Sequence, residues 1–160
     1  SDPKLGIIGY NYRLCEIEAC LALTQFNEID RMNAIRMALT NYMSIKLNEF
    51  PFITSPVTQP DCKHVFYTYA MKFDAEKAGM HRDEFQDKVM QEGVYFGKGY
   101  VQPLYQLPAF KKKGIVPNSC PVVERMRLDE LMVIDWLRYP CTFEDIDKVI
   151  EVIRRVLLVV

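Results

Sequence analysis

Residues 16–49 read EIEACLALTQFNEIDRMNAIRMALTNYMSIKLNE, and this stretch decides the fold. Neither glycine nor proline occurs between Tyr10 and Phe50, so nothing in the backbone chemistry interrupts a helix there. Ile17, Cys20, Leu21 and Thr24, then Ile29, Met32, Ile35, Leu39, Met43 and Leu47 recur at helical spacing. Pro51 and Pro56 close the run. A continuous helix of this length spans about 50 Å at 1.5 Å per residue. A globule of 160 residues is narrower than that. The helix is therefore expected to be kinked, broken near Asn27, or packed on something outside this chain.

Downstream of it, Lys63-His-Val-Phe-Tyr-Thr-Tyr-Ala-Met-Lys-Phe73 is rich in aromatic and β-branched residues. It reads as a strand with Val65, Tyr67, Tyr69 and Met71 on one face. Residues 81–92 form an amphipathic helix using Phe85, Val89 and Met90, with Gly93 where a left-handed cap belongs. Residues 94–101 are a second extended segment, and residues 104–113 are irregular, ending in a solvated lysine triplet. Pro121 opens another helix, and residues 132–137 form a third strand. Thr142-Phe-Glu-Asp145 is a capping box that launches a last helix, burying Ile146, Val149, Ile150, Ile153 and Val156 or Leu157. The pattern predicts an α+β single domain over 1–160: a small antiparallel or mixed sheet covered by helices. Within it, 1–50 is a loop plus the long helix, and 61–160 is the α/β sandwich part.

Composition narrows the function. Twenty basic and 21 acidic residues leave a net charge of −1, so no basic footprint for nucleic acid exists. No run of 18 apolar residues is present to span a membrane, and the opening residues carry no apolar signal core. The five cysteines, at 15, 20, 62, 120 and 141, include no C-x-x-C pair and have only His64 and His81 as possible co-ligands. They are expected to be reduced core residues of a cytoplasmic protein, with no metal site. The chain starts in a loop that leads straight into a motif and stops on apolar Val156-Leu-Leu-Val-Val160. Both ends suggest a piece of a larger protein.

Catalytic motifs are absent: there is no Gly-rich phosphate loop, no G-x-S-x-G and no H-E-x-x-H. The one dense cluster is Gly9-Tyr10-Asn11-Tyr12-Arg13, directly before the long helix. A helix N-terminus with an amide and a guanidinium beside it suits an anion. The same residues equally suit a plain helix start, with Asn as a turn residue and Tyr as packing.

That cluster and its continuation, Leu14-Cys-Glu-Ile-Glu-Ala-Cys20, resemble the G-x-N-Y-R-(M/L)-x-(E/D)-(I/L)-x-A-A block of the DegT/DnrJ/EryC1/StrS sugar aminotransferases. Further motifs follow in order: Arg36 and Tyr42, His64-Val-Phe-Tyr67, Pro103-Leu-Tyr-Gln-Leu-Pro-Ala-Phe110, Cys120-Pro-Val-Val-Glu-Arg125 and Asp145-Ile-Asp-Lys-Val-Ile150. The resemblance covers essentially the whole chain. It implies the C-terminal domain of a fold-type I enzyme dependent on pyridoxal phosphate, PLP. It also implies a homodimer whose active sites lie at the subunit interface.

By the same resemblance, Asn11 reaches the cofactor phosphate of the neighbouring subunit, and Arg13 lies near the partner's active site and substrate. The Schiff-base lysine, the aspartate on the pyridine nitrogen and the ring-stacking aromatic belong to the family's larger N-terminal part. No catalytic residue is therefore assigned here, and the chain alone is expected to be inactive and free of cofactor. The intact parent would move an amino group from an amino acid, often glutamate in the family, to a keto-sugar linked to a nucleotide. Many relatives read G-x-H-Y-x-P-L where this chain has Gly97-Lys-Gly-Tyr-Val-Gln-Pro-Leu104. That departure removes a pocket histidine and leaves Tyr100 and Lys98 as candidates to face substrate. The rival reading is a non-catalytic dimerisation or interaction module that kept the fold.

Overall fold

The computed structural model describes residues 12–99, 102–114 and 120–158. Its first element is α1, Glu16–Leu47, an unbroken helix of 32 residues that is about 48 Å long at the standard rise. The expected break near Asn27 is not there, because no residue in the run withdraws an N–H or relaxes φ. Only the second half of α1 touches the core, through Leu39, Met43 and Leu47. In the first half Ile17, Leu21, Leu23 and Phe26 stand exposed, Phe26 at 69%.

A three-stranded antiparallel sheet follows, in the order β1-β2-β3. β1 is Ile53–Thr54, β2 is Tyr69–Phe73 and β3 is Leu131–Ile134. Tyr69 pairs with Ile134 and Lys72 with Leu131, while Ile53 pairs with Phe73. Alternation along β2 and β3 sends Tyr69, Met71, Phe73, Met132 and Ile134 inward. Ala70, Lys72, Leu131 and Val133 are left on the other face. The inner face is covered by α3, Arg82–Gln91, and by α6, Phe143–Leu158, with the lower half of α1 beside them. The short helices α2 (Ala75–Ala78), α4 (Pro108–Lys112) and α5 (Pro121–Arg125) fill the connections. The last of these runs on into a π-type turn over Met126–Glu130.

The architecture is the expected α+β layer, and several local expectations hold with it. Thr142 Oγ1 accepts from the Asp145 N–H at 3.2 Å, and the Asp145 carboxylate accepts from the Thr142 N–H at 3.1 Å, closing the capping box. Ile146, Val149, Ile150, Ile153 and Val156 are buried, Gly93 adopts φ +85°, and Pro121 occupies the first turn of α5.

Others are corrected. The strand expected from Lys63 begins only at Tyr69. Ahead of it the Phe66 N–H is taken by His64 Nδ1 at 2.8 Å, and Phe66 turns to φ +49°. Its partner β1 is just two residues long, so earlier residues have no ladder to join. Tyr67, expected inward, is exposed. Met90, expected on the buried side of α3, is also exposed, since the stripe at helical spacing is Arg82, Phe85, Gln86 and Val89. Residues 104–113 are not wholly irregular: a 3₁₀ turn, Leu104–Gln106, precedes α4. The cysteines are free but none lies in the core: Cys15, Cys20 and Cys62 are exposed, Cys120 and Cys141 half-buried. No helix among the described residues is long and apolar enough to cross a membrane.

Candidate functional site

The outer face of the sheet carries a concavity of about 570 Å³, walled by Tyr67, Ala70, Tyr95, Gly97, Leu131 and Val133. It exists because β2 and β3 present small and branched residues outward, while a further extended piece of chain lies along β3. That piece is joined by Gly97, whose N–H donates to Val133 O at 2.8 Å and whose carbonyl accepts from Val133 N at 2.9 Å. A Cβ on Gly97 would meet Val133 Cγ2 at 2.8 Å, and one on Gly99 would meet Leu131 Cδ2 at 2.7 Å. Gly99 also sits at φ +97°, a conformation that L residues rarely adopt. The two glycines therefore let this wall close on β3. Trp136 braces the wall from its other end, with Nε1 donating to Tyr95 O at 3.0 Å.

Lys98 stands between those glycines, exposed, with Nζ 3.0 Å from Asp83 Oδ2. The other carboxylate oxygen of Asp83 receives Arg82 Nε at 3.0 Å and Nη2 at 2.8 Å. Partial burial is the largest single influence on Asp83 and works to raise its pKa. The Arg82 and Lys98 donors outweigh it together and hold the carboxyl below its ordinary range. Arg82 is itself buried, and its Nη1 donates to the carbonyls of Arg127 at 2.9 Å and Leu131 at 3.2 Å. The Lys98 ammonium is thus tied, through Asp83 and Arg82, to the start of β3. Tyr67, Tyr95 and Asp135 on the cavity wall can orient a polar ligand against its apolar and branched residues, while the Lys98 ammonium itself turns to Asp83. A second cleft lies near Lys72, Arg125 and Glu130. Glu130 meets Lys72 at 3.2 Å and Arg125 at 2.7 Å, so both cations on its wall are already engaged and Asp74, Glu76 and Asp129 leave it acidic.

The other predicted site residues lie elsewhere. Arg13 is exposed just ahead of α1 and is not part of the cavity wall. Asn11 and Tyr100 fall outside the described residues. The start of α1 does not offer a bare helix end to an anion. Glu18 folds back to accept from the Cys15 N–H at 3.2 Å, and Glu16 and Glu18 place two carboxylates in the first turn. Those charges already complement the helix dipole and oppose a phosphate. Phosphate binding at this end would therefore fall to the side chains of the Asn11–Arg13 motif, not to the helix N–H groups. No cluster of metal-ligating residues occurs among the described residues.

The residues that the sequence reading missed are Arg82, Asp83 and Gln86. Arg82 and Gln86 are polar members of α3's buried stripe. Polar residues at apolar-stripe positions are the signal that marks them.

Comparison with known proteins places this geometry. The model of the DegT/DnrJ/EryC1/StrS aminotransferase family matches residues 3–154. The spore coat polysaccharide biosynthesis protein SpsC of Bacillus subtilis (strain 168) is 25% identical over 152 residues, covering 91% of this chain and 37% of its own length. An aminotransferase from Psychrobacter cryohalolentis superposes with a TM-score of 0.81 at 19% identity, over 95% of this chain and 41% of that one. DesV of S. venezuelae, solved in complex with a ketimine intermediate, gives 0.77 at 22% identity, over 98% and 40%. This chain thus spans well under half the length of these relatives. A small antiparallel sheet, its covering helices and a long leading helix, matched over nearly every residue, leave one assignment: the chain belongs to the DegT/DnrJ/EryC1/StrS aminotransferase family.

Proposed function

We propose that this chain is the C-terminal domain of a PLP-dependent sugar aminotransferase. In that reading the intact protein takes an amino group from an amino acid, glutamate by preference, and passes it to a keto-sugar carried on a nucleotide. The observation that carries the reading is the family match across residues 3–154, on a fold shared with the aminotransferase from Psychrobacter cryohalolentis.

PLP supplies an electron sink when bound. What this chain adds is binding and orientation. Asn11 holds the cofactor phosphate of a neighbouring subunit, and Arg13 sits beside that subunit's substrate. The outer-face cavity receives part of the nucleotide-linked acceptor, with Lys98 and Tyr100 as the candidate residues of that segment to face it. The exposed apolar first half of α1 is covered by the remainder of the parent chain and by a second copy of it. The domain alone does not transaminate. A non-catalytic interaction module would share the exposed face of α1, but it gives the outer-face cavity and its tethered lysine nothing to do.

The test supplies the full-length protein with ¹⁵N-labelled glutamate and a panel of nucleotide-linked keto-sugars. Label in the sugar product supports the reading, and a panel that stays unlabelled while the protein is folded and loaded with PLP sinks it. Asn11→Ala should weaken cofactor retention, because one hydrogen bond to the phosphate is lost. Fluorescence titration of PLP into that variant checks this, and unchanged affinity would remove Asn11 from the role.

A further inference from the structure

We propose that Gln86 is a positioning residue for acceptor binding: it holds the chain from Phe96 to Gly99, and so sets one wall of the outer-face cavity. The inference rests on reading that cavity as part of the acceptor pocket. Gln86 lies on the buried stripe of α3, only 3% exposed, between the wholly buried Phe85 and Val89. Nothing about packing alone calls for an amide there; a leucine would fill the place.

Its Nε2 donates to two successive carbonyls, Phe96 O and Gly97 O, each at 3.1 Å. Only the donor end of an amide can face two carbonyls, so the side chain's orientation is forced. Its Oε1 is buried with no partner among the described residues. A buried acceptor left unpaired is unfavourable, and the side chain accepts that state while keeping both donor bonds. Gly97 O also accepts from Val133 N, so one carbonyl is gripped by α3 on one side and by β3 on the other. The wall then continues through Lys98, which α3 holds a second time by way of Asp83, to Gly99 against Leu131. Two consecutive turns of one helix therefore govern where the backbone and the cation of this wall stand.

The experiment uses the full-length enzyme loaded with PLP and three variants, Gln86→Leu, Gly97→Ala and Lys98→Met. Calorimetry reads the affinity of uridine diphosphate and thymidine diphosphate, and absorbance reads the glutamate half-reaction and the cofactor content. Gln86→Leu should bind the better of the two diphosphates about tenfold more weakly, the scale of one or two lost hydrogen bonds. Its cofactor content and half-reaction rate should match the wild type. Gly97→Ala, which pushes the same wall off β3, should weaken the diphosphate in the same selective way, and it carries the test if Gln86→Leu does not fold.

Wild-type diphosphate affinity in Gln86→Leu overturns the proposal. So does a parallel fall of affinity, half-reaction and thermal stability, which a merely structural residue would give. If Lys98→Met binds normally while Gln86→Leu does not, the wall matters through its backbone, and the positioning role stands without the lysine. If the wild type binds neither diphosphate, the acceptor reading itself fails and the proposal falls with it.

Discussion

Asp147 on α6 takes donors from two residues of α1. Tyr42 Oη lies 2.8 and 3.0 Å from its two oxygens, and Lys46 Nζ lies 2.7 Å away. The Tyr42 ring meets Phe143 edge-on at 5.0 Å and carries the Lys46 ammonium over its face. The Lys46 donor first, and the Tyr42 hydroxyl second, hold the Asp147 carboxyl below its ordinary range. The bond to Asp147 in turn raises Lys46. A carboxyl lowered by folding adds stability above its unfolded pKa, and that gain is lost as pH falls through the lower, folded value. A lysine raised by folding adds stability below its unfolded pKa and loses it as pH climbs through the raised one. The junction of α1 and α6 is therefore firmest near neutral pH and loosens at both extremes. Asp147→Asn should flatten the acid limb of a plot of Tm against pH; an acid limb as steep as the wild type's would show that other carboxylates carry it. The exposure of these groups keeps the effect small and sensitive to salt.

The same scale shows why part of the site escaped a reading of residues in order. Gln86 and Arg82 are separated from the carbonyls they hold by 10 to 49 positions, and no local pattern encodes such pairs. Lys98 between two glycines was legible as a candidate. Its tether to Asp83 was not, because α3 must first be laid across the end of the sheet.

Elements with a strong local cause were legible throughout. α6 begins where the Thr142 box sits and buries the stripe that its spacing marks. Thr142→Ala should cost about 1 kcal/mol, as N-cap losses do, read as a shift in the denaturation midpoint. A change below the error of that measurement would mean that core contacts alone fix this helix end. α1 is one helix, Glu16–Leu47, inside its glycine- and proline-free run. β2 starts later than its composition suggests because aromatic and β-branched content marks a pleated, half-buried surface and not the ladder that must pair with it. Only a neighbour's length decides where pairing stops, and β1 is very short. The exposed half of α1 belongs to the same argument. Phe26 and Leu21 should be covered in the intact protein, so Phe26→Glu there should lower Tm or shift the assembly to smaller size by gel filtration. An unaltered Tm and elution volume would show this face to be solvated.

At the scale of the whole molecule, one core joins the sheet's inner face to α1, α3 and α6, and the cavity lies on the opposite face. Phe85 sits at the centre of that core, ring against ring with Phe52, Phe73 and Phe96. Its loss to alanine should cost about 3–5 kcal/mol, the usual penalty for a buried phenylalanine. We propose that the intact protein is a PLP enzyme that takes nitrogen from an amino acid. The most direct measurement is the absorbance spectrum of the full-length protein loaded with PLP, before and after L-glutamate. A band near roughly 420 nm should give way to one near roughly 330 nm as the cofactor takes up the amino group. A folded, full-length protein that binds no PLP, or whose spectrum stays unchanged with glutamate and with every other amino-acid donor tried, would contradict it.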